Sequence, residues 1–116
     1  MIVKKYVDEN DFMLVFYNHK KIIARIDFHV YNEEHPFFKE IENISEAFVA
    51  DVFETNTSKE CDFFNIINFL KNTLTERNRI VFEINKIDRK IIPFLVKNGF
   101  VDKGNNIYEF FCTLSK

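Results

Sequence analysis

Between Arg79 and Phe100 the sequence RIVFEINKIDRKIIPFLVKNGF changes its hydrophobic period once, and that change constrains most of what the chain can fold into. Ile80, Phe82 and Ile84 alternate with Val81, Glu83 and Asn85, which predicts a strand buried more on one face than the other. Asp88 is placed to cap the segment that follows. There Ile91, Ile92, Leu95 and Val96 fall at helical spacing until Gly99 supplies a residue that tolerates positive φ. Pro93 is compatible only with the first turn of a helix, so this helix is short.

Upstream, IVKKYV and FMLVFY read as two strands separated by the polar DEND. Asn18-His19-Lys20 reads as a hairpin turn. Ile22, Ala24, Ile26, Phe28 and Val30 then alternate with Ile23, Arg25, Asp27, His29 and Tyr31, the pattern of a strand with one semi-polar face. Asn32 to Ala47 breaks this pattern with acidic residues and His35-Pro36 and is expected to be a loop. Phe48 to Glu54 returns to alternation, with Phe48, Ala50 and Val52 expected on one face and Val49, Asp51 and Phe53 on the other. Thr57-Ser58-Lys59-Glu60 has the form of a capping box. Phe63, Ile66, Ile67, Leu70 and Leu74 make the apolar stripe of a helix running to about Arg77. Gly104-Asn105-Asn106 is a turn, and Ile107 to Leu114 a last strand.

The expected fold is α+β, a mostly antiparallel twisted sheet of about six to seven strands with two main helices. The helix between the fourth and fifth strands makes that pair a right-handed parallel crossover. Residues 1–116 fit one domain with a real core. Fifteen phenylalanines and no tryptophan make that core Phe-rich, and most of the rings are expected to pack rather than to offer stacking platforms.

Sixteen basic and eighteen acidic side chains are mixed along the chain, so no basic field points to nucleic acid. Cys61 and Cys112 form no CxxC, and His19, His29 and His35 match no zinc spacing, so free thiols and no metal are expected. Without a charged-then-apolar leader or a long apolar run, neither secretion nor a membrane span is expected, and a reducing cytoplasm fits.

The element order, and above all FLVKNGF followed by a polar turn and a Tyr-containing strand, resembles the C-terminal half of the GNAT-type N-acetyltransferases. The likeness covers roughly Phe48 to Phe111. The chain looks like a minimal version, with little room for the two helices that normally follow the family's first strand. The resemblance implies acetyl-CoA as cofactor, wedged between two splayed parallel strands with its pyrophosphate on amides at a helix N-terminus. The equivalent loop is Ser58, Lys59, Glu60, Cys61, Asp62 and Phe63. Cys61 and Phe63 stand at the glycine positions and Ser58 at the basic one, while Glu60 and Asp62 bring negative charge. Asp88 stands where the family usually has Asn. The position of the tyrosine that in many members protonates the leaving thiolate is Leu95, which cannot donate a proton.

Two readings follow. In the first, the chain is an acyl-CoA-dependent N-acetyltransferase with a divergent cofactor loop. Asp51 or Glu54 takes the proton of an amine acceptor, and amides near Phe53 hold the pantetheine. In the second, it is a GNAT-like domain without catalysis that binds or regulates another protein. A homodimer is open under both. Other candidate features are Asp27, His29 and Tyr31 along one strand face, Arg77-Asn78-Arg79 at a helix end, and Cys61 near a helix start, each with an ordinary structural role as its alternative.

Overall fold

The computed structural model describes residues 1–9, 11–29, 47–74, 79–84, 87 and 89–111. Its elements are β1 (Ile2–Asp8), β2 (Asp11–Asn18), β3 (Lys21–His29), β4 (Ala47–Thr55), α1 (Glu60–Thr73), β5 (Arg79–Glu83), a 3-10 turn (Arg89–Ile91), α2 (Ile92–Lys97), β6 (Val101–Gly104) and β7 (Ile107–Phe111). The expected loop from Asn32, the cap at Asp88, Arg77-Asn78 and Cys112 lie outside the described residues, apart from Ala47, which begins β4.

The strands form one seven-stranded sheet in the order β1-β2-β3-β4-β5-β7-β6. Every neighbouring pair is antiparallel except β4 and β5, which α1 connects as a parallel crossover. At the β2–β3 hairpin His19 and Lys20 have φ of 51° and 66°. Such turns match the twist of the flanking strands and usually carry Asn or Gly.

The core is a phenylalanine lattice between one sheet face and the two helices. Phe16, Phe28, Phe53 and Phe82 are fully buried, and α1 contributes Phe63, Ile66, Ile67 and Leu70. Phe12 stacks on Phe28 at 5.0 Å and Phe63 on Phe94 at 4.7 Å, so these rings are packing, as their number suggested. Pro93 sits in the first turn of α2, where no backbone bond is lost. At the other end Phe100 N–H donates to Leu95 O at 3.0 Å and Gly99 N–H to Val96 O at 3.2 Å, with Gly99 at φ 90°. That is a Schellman ending, and it drives Phe100 into the core beside Leu95.

Three local expectations are corrected. A register shift between Phe16 and Tyr17 puts Ile23 in the core and leaves Ile22 half exposed. In β4, Phe53 rather than Val52 joins Phe48 and Ala50 on the core face. The capping box does not form. Lys59 is the N-cap without a side-chain bond, and the helix begins at Glu60. The Thr57 hydroxyl accepts from Lys59 N–H at 3.2 Å and donates to the Asp62 carboxylate at 2.5 Å, a stronger, charge-assisted partner than a backbone amide would be.

Candidate functional site

The change of face in β4 has a local cause. Asp27 pairs with Val52 while Phe28 pairs with Ala50, so Asp51 is the extra residue of a β-bulge. On the other side of the strand, the parallel ladder with β5 runs from Ala47↔Arg79 to Ala50↔Phe82 and stops. It touches once more, at an isolated Phe53↔Ile87 bridge. Regular pairing of β4 with β5 therefore ends at Ala50↔Phe82, beside the bulge at Asp51.

Asp51 is largely buried, with its side chain 14% exposed. Its Oδ1 lies 2.9 Å from His29 Nε2, and His29 Nδ1 lies 3.0 Å from Asp11 Oδ2. The imidazole thus spans three strands, from β2 through β3 to β4, and orients the bulge carboxylate. Glu54 stands differently. It is exposed, and its carboxylate meets Arg25 Nη2 at 3.5 Å, while Arg25 Nε lies 3.5 Å from Asp27. Exposed pairs of this kind contribute little. The two sequence-predicted bases are therefore not brought together, and Phe53 between them turns into the core.

Ser58, Lys59, Glu60 and Cys61 are exposed at the start of α1, whereas Asp62 and Phe63 are buried. Asp62 accepts from Thr57 Oγ1 at 2.5 Å and, more weakly, from Asn18 Nδ2 at 3.5 Å. Glu60 and Asp62 both lie in the first turn, where a carboxylate is stabilised by the helix dipole. This end of α1 is already supplied with negative charge, and Phe63 stacks on Phe94. Leu95 is fully buried, so no ionisable group faces the site from that position. Sequence reasoning missed Thr57 and Asn18 as partners of Asp62. The Thr57-to-Asp62 spacing of five was legible but overshadowed by the Thr57–Glu60 motif.

The sheet face away from the helices carries a groove of about 550 Å³ lined by Tyr6, Met13, Tyr17, Arg25, Glu54 and Asn56 among others. Desolvation, with the Tyr6 hydroxyl beside it, raises the Tyr17 phenol above its usual 10.0. A smaller hollow of about 310 Å³ reaches Asp11, Asp27 and His29, so the His29 array borders open space. Among the described residues no three His, Cys, Asp or Glu side chains are placed to hold a metal ion, and no helix is long and apolar enough to cross a membrane.

Comparison with solved structures identifies the fold. A crystal structure of a candidate acetyltransferase from Staphylococcus aureus Mu50 superposes with a TM-score of 0.57 at 19% identity, covering 87% of this chain and 72% of the other. The solution NMR structure of YhhK from E. coli, a candidate N-acetyltransferase bound to coenzyme A, superposes with a TM-score of 0.61 at 11% identity, covering 93% and 76%. The mixed sheet with its one parallel pair is GNAT-like, in agreement with the resemblance carried by FLVKNGF. No protein-family model matches the chain, and no curated protein matches it by sequence.

Proposed function

We propose that this chain is an acyl-CoA-dependent N-acyltransferase, with acetyl-CoA as donor and an amine as acceptor, in which Asp51 is the general base. The observation that carries the reading is the coincidence at Asp51 of a β-bulge with the point where the parallel β4–β5 ladder opens. An opened ladder leaves backbone amides of β4 near Phe53 to hold a pantetheine arm, and the bulge beside it carries the Asp51 carboxylate. When bound, acyl-CoA supplies an activated thioester carbonyl. The chain's own contribution is to orient the acceptor, to offer β4 amides to the carbonyl oxygen, and to accept the amine proton on Asp51, which His29 holds in place. Asp51 is preferred over Glu54 because Glu54 is exposed and paired with Arg25. At the nucleotide end the residues fit less well. Lys59 and the first-turn amides of Glu60 and Cys61 would meet the phosphates against the charge of Glu60 and Asp62, with Asp88 beyond them in sequence. The free, exposed thiol of Cys61 agrees with a reducing, cytoplasmic setting.

A second reading is favoured by specific observations. The Phe53↔Ile87 bridge closes the far end of the opening, Asp62 sits at the helix start, and Leu95 is buried where a proton donor would stand. These suit a GNAT-fold protein that binds a protein partner without catalysis. The test is acyl transfer to an amine panel, followed as thiol release. Under the first reading Asp51→Asn lowers kcat by about 10²–10⁴ with the fold intact by circular dichroism, while Glu54→Gln changes it little. Turnover unchanged in Asp51→Asn would remove Asp51 from the mechanism. No turnover with any acceptor would favour the second reading.

A further inference from the structure

The seventh strand of the sheet order, β6, is short, but the opposite edge is not. β1 runs seven residues, pairs with β2 without a bulge from Ile2↔Tyr17 to Asp8↔Asp11, and contains no proline. Among the described residues no strand lies beyond it. Such an edge offers a row of backbone donors and acceptors to another chain, and proteins usually guard it with lysine side chains, bulges or proline. β1 has neither a bulge nor a proline, and its two lysines, both exposed, each lie over a ring of the neighbouring strand. Lys4 Nζ lies 5.2 Å from the Tyr17 ring centroid and Lys5 Nζ 4.6 Å from that of Phe12, both rings belonging to β2. Beside these lysines and Asp8 the strand exposes apolar surface, with Ile2 65% and Val7 67% exposed and Tyr6 half exposed.

We infer that β1 pairs with β1 of a second copy of this chain, antiparallel about a two-fold axis at Tyr6. Charge selects the occupant and the register. A two-fold antiparallel pair must centre on one residue facing itself. Centring on Lys4 or Lys5 sets like charges directly opposite, and centring near either end of the strand leaves only a few residues overlapped. Centring on Tyr6 opposes Lys4 with Asp8 of the second copy, twice by symmetry, and Lys5 with Val7, over five positions from Lys4 to Asp8. Lys4, Tyr6 and Asp8 alternate along one face of the strand, so the two ion pairs flank the tyrosine pair. The two sheets become one continuous sheet. The contact is small, of the class that forms transient complexes, so association depends on concentration in the micromolar range and above.

The experiment is sedimentation equilibrium of the full chain over a wide concentration range, with Lys4→Asp, Asp8→Lys and the combined swap. The expected result is a wild-type mass rising from 14.0 kDa toward twice that value. Each single reversal weakens association at least about tenfold, because attraction becomes repulsion at two symmetric places, and the double swap restores it. A wild type monomeric to millimolar concentration overturns the inference. So does a dimer that both single reversals leave intact, or a double swap that fails to recover association while its circular dichroism is native. None of these outcomes depends on whether the chain binds acyl-CoA.

Discussion

Replacing Thr57 with Val tests the physical reasoning at the start of α1. The two side chains have nearly the same shape, so the change removes one hydroxyl. That hydroxyl donates to Asp62 Oδ2 at 2.5 Å, and Asp62 is only 4% exposed, so water cannot take its place. What remains is Asn18 Nδ2 at 3.5 Å, a marginal contact. Hydrogen bonds to charged groups contribute about 1.5–3 kcal/mol, and an under-satisfied buried carboxylate puts this case in the upper part, about 2–3 kcal/mol. The lost bond to Lys59 N–H adds nothing, since that amide is exposed and water replaces the hydroxyl. With an unfolding entropy of roughly 0.24 kcal/mol/K for a chain of this length, the midpoint falls by about 8–12 °C. The assay is reversible thermal and urea denaturation followed by circular dichroism, with Thr57→Ser as the control that keeps the donor and costs less than about 1 kcal/mol. A Thr57→Val protein within about 0.5 kcal/mol of wild type would refute the claim that Thr57 satisfies Asp62.

Arg79→Ala should destabilise by about 3–5 kcal/mol, because Arg79 Nη1 lies 2.9 Å from Glu109 Oε1 and Glu109 is 3% exposed, so a buried charge loses its partner. Urea denaturation of Arg79→Ala beside Arg79→Ala/Glu109→Gln checks this, since the second change should recover part of the loss. Gly99→Ala should cost about 1–2 kcal/mol from its φ of 90° alone. An added Cβ would meet Phe110 Cε1 at an ordinary 3.5 Å, so Gly99→Asn, whose side chain tolerates positive φ better, should lose less thermal midpoint than Gly99→Ala, and a larger loss in Gly99→Asn would contradict a purely conformational origin.

Much of the architecture was legible because each element carries its own period. The alternation of Ile80, Phe82 and Ile84, the stripe from Phe63 to Leu74, and the Asn98-Gly99-Phe100 ending all translate directly into β5, α1 and the Schellman motif. What the sequence hid were shifts of one residue. A β-bulge leaves composition unchanged, so the pattern of β4 predicted Val52 in the core when the extra residue at Asp51 puts Phe53 there. The side-chain choice at Thr57 was equally hidden, because Glu60 and Asp62 are both plausible partners and only packing decides which one is buried. Asp51 was legible as a candidate base, but its alignment by His29 and Asp11 depends on register across three strands. No single stretch of sequence contains that register.

Binding of acyl-CoA by this fold is tested by a calorimetric titration of the full chain with acetyl-CoA, with the unfolding midpoint recorded with and without it. Binding in the micromolar range is the expected result. At about 100 times the dissociation constant the ligand should add about 2.7 kcal/mol of stability, or roughly 11 °C in midpoint. No heat and no shift in midpoint at millimolar acetyl-CoA would contradict it, and would leave the bulge at Asp51 as a structural feature of a fold that binds something else.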